Sequence, residues 1–304
     1  MKCLYVLPLM LAIVAYGADA AKSADPSAPH GKSYVYKQSG GEAQELEVYF
    51  PKNWDAKTSK VPGVLLFHGG GWSGGTLDQF RHACHYLASR GLVAATANYR
   101  MLHKDAIAKL PAGQSRKRVC ITDAKSAIRW FKQHAAELGI DPNRVITGGG
   151  SAGGHIAVLA TQNAGLNDPA DPPGIDTSVV AYLLFNPALS PDDRIDAEVD
   201  ALHYLKPTFA PSIAFFGTTD KYKNGWDAAR NRLKGLGNQS SQLWLAEGQK
   251  HSFFNKDPWR TLTLIAADRF LVQHGLLQGE PTLAPPATGE SLVAAPDGAS
   301  QATK

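Results

Sequence analysis

Apolar runs and amphipathic stretches alternate along most of the chain, and that alternation is the first guide to its fold. Short runs rich in β-branched and apolar residues at 46–50, 63–67, 92–97, 144–147, 179–185, 212–216 and 242–246 predict strands. Between them, the spacing predicts helices over 77–89, 119–138 and 151–163, with a last one over 258–274. Within the second, Ala124, Ile128, Phe131 and Ala135 recur at steps of four, three and four, which lines them up as one apolar stripe. Its end is marked by Gly139, followed by Asp141 and Pro142, a stop-and-turn signal. Strands that alternate with helices of this length favour an α/β architecture, a mainly parallel doubly wound sheet flanked by helices on both faces. No internal repeat is visible.

The two ends differ from this middle. Lys2 precedes an almost wholly apolar run from Leu4 to Tyr16, and Ala18-Asp19-Ala20 supplies a small-x-small cleavage site, so residues 1–20 are expected to be a signal peptide. The run is shorter than the roughly twenty residues that span a bilayer, which disfavours an uncleaved anchor and leaves no stable membrane attachment after cleavage. The mature protein is then expected to be secreted or periplasmic. Residues 21–33, rich in Ala, Ser, Pro and Lys, read as a flexible leader. Residues 34–278 read as one folded domain, and 279–304, with Pro, Gly, Ala, Ser and Thr and little to pack, as a disordered tail.

Composition narrows the function without naming it. A chain of 304 residues with 44% apolar and 19% charged residues is long enough to build one sizeable core. Its 31 Lys and Arg against 27 Asp and Glu are spread along the chain, too even a balance to point to a nucleic-acid partner. Loss of the signal peptide removes Cys3 and leaves Cys84 and Cys120, a pair that in an oxidising compartment is a candidate disulfide; two buried thiols are the alternative.

The sharpest chemical signal is Gly149-Gly150-Ser151-Ala152-Gly153, a G-x-S-x-G between the strand at 144–147 and the helix that follows. A serine there sits on a tight strand-to-helix turn that needs glycine neighbours, because side chains would collide with adjacent backbone. The turn exposes the Ser151 hydroxyl near a helix N-terminus, whose partial positive charge favours an anion. A phosphate-binding turn is the competing reading, but neither the Walker lysine nor G-x-G-x-x-G spacing is present. Upstream, His68-Gly69-Gly70-Gly71-Trp72 follows the strand at 63–67. Successive glycines let backbone N–H groups turn inward, as a tetrahedral intermediate requires, and Gly70, Gly71 and Ala152 are the candidate oxyanion donors.

Together, HGGGW at 68–72 and GGGSAGG at 148–154 resemble the hormone-sensitive-lipase and feruloyl-esterase-like group of α/β hydrolases, over about residues 48–254. The resemblance implies the α/β-hydrolase fold, a serine carboxylester hydrolase activity and no cofactor. It also implies the chain order serine, acid, histidine. Two departures stand out. Many relatives carry an acidic residue before the nucleophile, where this chain has Gly150; and lipase-like members have an N-terminal helical cap, for which little chain precedes the first strand here. A minimal cap implies an open cleft suited to bulky or polymeric substrates.

His251 follows the run at 242–246 and precedes the last helix, the place expected for the general base. His274, at the end of that helix, is its rival and is better explained as a capping or solvated residue. Asp220 follows the run at 212–216 through Gly217-Thr218-Thr219 and resembles the family's acid-bearing segment. Asp192 and Asp193 are the fallback acids, and a solvated turn is the plain alternative for Asp220. Trp72 adjoins the glycine loop, as a wall of the substrate site or as packing. His155 is expected to pack beneath the nucleophile turn and His68 to bond within its own loop. His82, Cys84 and His85 lack a completing carboxylate and are not read as a metal site. Arg116, Lys117 and Arg118, with His103 and Lys104, form a basic cluster, by default a solvated face. The resemblance, together with the expected export and minimal cap, implies acetyl or hydroxycinnamoyl esters of carbohydrate as the substrate class. A lipase-like or small-xenobiotic esterase or peptidase, and a non-catalytic binding protein on a hydrolase fold, are the alternatives.

Overall fold

A computed structural model describes residues 31–39 and 41–295; the expected signal peptide and most of the leader lie outside the described residues, as does the end of the expected tail. The chain begins with strands β1 (Lys32–Ser39), β2 (Glu42–Tyr49) and β3 (Val61–Phe67), then helix α1 (Asp78–Ser89) and β4 (Val93–Ala97). Helices α2 (Lys104–Ile107), α3 (Arg116–Gln133) and α4 (Ala135–Leu138) lead into β5 (Ile140–Gly150), α5 (Ala152–Gln162) and β6 (Ala181–Phe185). Next come α6 (Ala201–Tyr204), β7 (Ser212–Gly217), α7 (Lys223–Gly235), β8 (Ser241–Ala246), α8 (Trp259–Gln273) and β9 (Val293–Ala294). The strands form one sheet in the order β1-β2-β4-β3-β5-β6-β7-β8-β9, parallel from β4 to β8 and antiparallel at both margins.

Strand alternation divides the core into two layers, because successive side chains leave opposite faces of a sheet. Leu65, Phe67, Tyr182, Leu184, Ala214 and Phe216 pack with α3, α5 and α7, through residues such as Ile128, Phe131, Leu159 and Trp226. Val64, Leu66, Leu183, Phe185, Ile213 and Phe215 face α1 and α8, against Phe80, Leu87, Phe270 and Leu271. This arrangement decides the cysteine question. Cys84 lies on α1 in one layer and Cys120 on α3 in the other, with the sheet between them. Both are free and buried, so the expected disulfide gives way to the alternative of two buried thiols.

Several boundaries differ from the sequence pattern for local reasons. The expected leader gives up its last residues to β1, an edge strand whose single buried side chain is Tyr36, too polar to show as an apolar run. The helix expected over 119–138 starts earlier, at a Ser115 cap whose hydroxyl accepts the Arg118 N–H, and is broken at His134 before the Gly139 stop, where φ is +64°. The expected tail is also corrected in part. Residues 293–294 pair with β8, and Arg90, held by the buried Asp268 carboxylate, donates to the carbonyls of Gln278 and Gly279. Helix α7, with Trp226, Ala229 and Leu233 buried, adds to the helices that the sequence pattern predicts.

The helix behind the nucleophile turn is fixed at both ends. Ala152–Gln162 is buried on nearly every side, and a Cβ on Gly153 would stand 1.9 Å from the Phe67 carbonyl oxygen, so helix and sheet are closer there than any side chain allows. At the far end Lys125 of α3, itself buried, donates to the carbonyls of Asn163 and Gly165. Burial pushes its ammonium down to a pKa of about 8.

Candidate active site

The candidate residues stand at the C-terminal ends of the parallel strands. β5 runs through its glycines to Gly150, and Ser151 turns the chain into α5 with φ of +49° and ψ of −115°. A non-glycine residue in such a conformation is strained and persists only where its surroundings over-determine it. Here they do. The Ser151 N–H donates to the Phe185 carbonyl at 2.9 Å, and its own carbonyl accepts from the N–H groups of His155 and Ala188.

Asp220 and His251 reach this point from two turns stitched together. Gly217 approaches the Gln249 carbonyl so closely that a Cβ would lie 2.1 Å from its oxygen. The Thr219 N–H and hydroxyl both donate to that carbonyl, and the Gly248 N–H donates to the Thr218 hydroxyl at 2.9 Å. The result is a continuous chain: His251 Nε2 lies 2.7 Å from Ser151 Oγ, and His251 Nδ1 lies 2.8 Å from Asp220 Oδ2. The Asp220 carboxylate is wholly buried, and its other oxygen accepts the Tyr222 N–H at 2.9 Å. An ionised carboxylate at Nδ1 fixes the tautomer with hydrogen on Nδ1, leaving Nε2 as acceptor for the serine hydroxyl. The Tyr222 ring packs against the imidazole at 5.0 Å.

The glycine loop faces the serine. Gly70, Gly71 and Trp72 have successive positive φ angles of +126°, +62° and +60°. A Cβ at Gly70 would meet the Gly74 carbonyl oxygen at 2.1 Å, whereas Gly71 is open to solvent. A Cβ at Gly69 would lie 3.2 Å from Ser151 Cβ, which places the loop against the serine. Ser151 makes no side-chain cap to α5, and Ala152 is the first residue of that helix, where backbone N–H groups lack intrahelical partners. A glycine loop beside a helix N-terminus is the kind of place where backbone N–H groups can meet an oxygen that gains negative charge.

His68 has Nδ1 2.7 Å from the Gly69 carbonyl oxygen, stacks on Tyr99, and is driven by burial to a pKa of about 4, so it shapes its own loop. Trp72 is buried; its indole N–H donates to His155 Nδ1 at 3.3 Å, and Lys117 Nζ lies 4.0 Å from the ring centre. Of its two readings the structure favours packing, with little ring surface left for a ligand. His155 is also held neutral by burial, with a pKa of about 4, and its Nε2 bonds the Val199 carbonyl at 2.9 Å. Asp193 pairs with Lys117 and caps its own turn through Ser190, so neither it nor the exposed Asp192 replaces Asp220. His274 packs on Phe270 at the end of α8. Arg118 is engaged by Asp196.

Two side chains escaped the sequence reading. Asn186 follows β6 with φ of +42°; oriented with Nδ2 toward Phe185, its amide donates to that carbonyl at 2.7 Å and accepts the Ser252 N–H at 2.9 Å. The carbonyl that holds Ser151 is thus tied to the residue after His251. Gln79 joins the glycine loop to Asn255. No motif marks an amide that acts through a neighbour; only the left-handed φ at Asn186, a conformation asparagine tolerates, has a residue-type signal. At the position before the serine, a Cβ on Gly150 would lie 2.7 Å from the tip of the Phe254 ring and 3.0 Å from Gln79 Oε1, so a side chain there would require the Phe254 ring to shift.

Residues 46–183 match the BD-FAE family. Among curated proteins, the carboxylesterase NlhH of Mycobacterium tuberculosis is 34% identical over 149 residues, 48% of this chain and 40% of NlhH. Lipase 2 of Moraxella sp. is 32% identical over 112 residues, 36% of this chain and 24% of that protein. The chain therefore spans less than half the length of these curated relatives. A solved structure, the apo form of Thermogutta terrifontis esterase 2, aligns with a TM-score of 0.75 at 33% identity, covering 84% of this chain and 98% of that one. The same esterase with butyrate bound aligns at 0.74 and 32%, covering 84% and 98%. With its parallel sheet, its serine turn and these relatives, the chain belongs to the carboxylesterase group of the α/β-hydrolase family.

Proposed function

We propose that this protein is an exported serine carboxylester hydrolase that works through an acyl-enzyme, with Ser151 as nucleophile, His251 as general base and Asp220 as the residue that orients it. The observation that carries this reading is the unbroken hydrogen-bond chain from Ser151 Oγ through His251 to the buried Asp220 carboxylate, set against the glycine loop.

The chemistry proceeds in two halves. Ser151 Oγ attacks the ester carbonyl carbon while its proton passes to His251 Nε2, and Asp220 stabilises the imidazolium. The carbonyl oxygen, now an anion, rests on the N–H groups of Gly70, Gly71 and Ala152; one such donor is commonly worth roughly a hundred- to thousandfold in rate. The C–O bond to the alcohol breaks as Nε2 returns the proton to it. Water then gives a proton to Nε2 and attacks the acyl carbon, and Ser151 leaves with that proton as the carboxylic acid departs.

Acetyl or hydroxycinnamoyl esters of carbohydrate are the proposed substrates. The BD-FAE match supports the class, and the cover over the cleft is slight: the span between β6 and β7 holds only the 3-10 turns Pro191–Ile195 and Ala197–Val199 and the short α6. Tyr222, beside the imidazole, offers an aromatic edge to a ring-bearing group. A second reading, a short-chain esterase of small molecules, is favoured by the esterase 2 structures with propionate and butyrate bound. Neither reading calls for a cofactor. Export rests on the pattern of residues 1–20, and among the described residues no helix is long and apolar enough to cross a membrane.

The test is hydrolysis of p-nitrophenyl acetate by the purified protein and by Ser151→Ala. Loss of the nucleophile is expected to lower turnover on the order of a millionfold, and sustained hydrolysis by the variant contradicts the mechanism. Acetylated sugars and feruloyl esters, compared with free short-chain esters, then separate the two substrate readings by kcat/KM.

A further inference from the structure

Gln79 lies in the first turn of α1, just downstream of the glycine loop, and is half-buried. Its Oε1 accepts the Gly69 N–H at 2.6 Å, and its Nε2 donates to Asn255 Oδ1 at 3.1 Å. Gly69 opens the glycine loop and lies against the serine, a Cβ there standing 3.2 Å from Ser151 Cβ. Asn255 ends the 3-10 turn Phe253–Asn255 that follows His251. One amide therefore spans the two loops whose register across the Ser151 oxygen decides whether base and oxyanion donors act on the same carbonyl group.

The same amide also fills the space beside Gly150. A Cβ built there would stand 3.0 Å from Gln79 Oε1, and one built on Gly69 would stand 3.5 Å from the same atom. A polar group is thus present next to the nucleophile turn, although position 150 itself supplies none; it arrives from α1 instead of from β5.

We propose that Gln79 is a positioning residue that holds the glycine loop in register with the histidine turn, taking the place of a side chain before the nucleophile. Its two ends have different duties. Accepting the Gly69 N–H fixes the plane of the peptide that enters the loop, so that the N–H groups of Gly70 and Gly71 stay aimed at one point. Donating to Asn255 ties that point to the turn carrying His251. Methionine keeps the length of glutamine and removes both bonds. Glutamate keeps the acceptor for Gly69 and bonds the Asn255 amide once that amide turns over. This inference rests on the proposed roles of Ser151 and the glycine loop.

Steady-state kinetics of the full chain on p-nitrophenyl acetate test it, with Gln79→Met, Gln79→Glu, Asn255→Ala and Ser151→Ala measured together with thermal unfolding. A misplacement of the donors of about 1 Å is expected to lower kcat of Gln79→Met roughly 10- to 100-fold, with KM changed less than about threefold. Gln79→Glu is expected to regain most of that loss. Should Gln79→Met fold poorly, Asn255→Ala reads the same coupling from the other side, with a smaller fall in kcat expected at unchanged KM. Wild-type kcat in Gln79→Met or in Asn255→Ala overturns the proposal, as does a Gln79→Glu variant as impaired as Gln79→Met, or a fall in kcat matched by a proportional loss of folded protein. If Ser151→Ala stays active, the proposed nucleophile fails instead, so the two failures are distinct.

Discussion

His251 Nε2 stands 2.7 Å from Ser151 Oγ although 100 positions of chain separate the two residues. Their meeting is secured by their neighbours. The Phe185 carbonyl at the end of β6 holds the Ser151 N–H, and the Asn186 amide beside it holds the Ser252 N–H, so one strand end clamps both turns.

Asp220 tests whether the buried carboxylate sets the imidazole tautomer. In Asp220→Asn the amide nitrogen can donate to Nδ1, which leaves hydrogen on Nε2 and no acceptor for the serine proton. A fall in kcat of roughly 10⁴-fold is expected, with the fold intact by circular dichroism. A near-normal kcat assigns Asp220 to the turn alone.

Asn186 has no atom at the reacting carbonyl, so its effect is one of position. Asn186→Gly keeps the residue type suited to a φ of +42° and removes only the amide. The loss of two buried hydrogen bonds is expected to cost about 1–3 kcal/mol in chemical unfolding. kcat is expected to drop more than KM rises, because the histidine turn loses its tie to β6. Unchanged kcat with lowered stability means that the clamp serves folding only.

Acid stability follows from two buried imidazoles. His68 and His155 are held at a pKa of about 4 by burial, against an ordinary value of 6.5. Between these values the unfolded chain binds more protons than the folded one, so stability is full above about pH 6.5 and falls as pH drops toward 4. Each shift corresponds to a few kcal/mol at most, at about 1.36 kcal/mol per pKa unit. Urea midpoints at intervals between pH 7 and pH 4 check this, and His155→Gln is expected to flatten the slope. An unchanged slope in that variant assigns the acid sensitivity elsewhere.

The cysteines give a simple chemical count. Burial raises both thiols above their ordinary range and no bridge joins them, so Cys84 and Cys120 are expected to resist a thiol reagent in the folded state. Both are expected to react after unfolding without any reductant. Failure of the unfolded chain to react until it is reduced contradicts the opposite-layer packing.

What could be read from the sequence divides along physical lines. The parallel strands were visible because both their faces are buried, which makes runs such as Val64–Phe67 continuously apolar. Edge strand β1 was hidden because only Tyr36 enters the core, and β9 because two exposed residues carry no pattern. Helix α7 has its stripe of Trp226, Ala229 and Leu233, but polar residues between them mask it. At the site, Ser151, Asp220 and His251 were legible because glycine turns and strand ends constrain where reactive groups can stand. Gln79 and Asn186 were not, since their contacts depend on which loops come within hydrogen-bond distance of them, a property of the fold alone. Trp72 shows the converse: its place in the motif was plain, while its burial against His155 and Lys117 was not.

The most direct measurement is to treat the protein with paraoxon, a reagent that phosphorylates serine nucleophiles activated by a neighbouring base, and to locate the adduct by peptide mass spectrometry. One diethylphosphoryl group on Ser151, formed in step with loss of esterase activity and absent from Ser151→Ala, is the expected result. A label on another residue, or inactivation that leaves Ser151 unmodified, contradicts the assignment of the nucleophile.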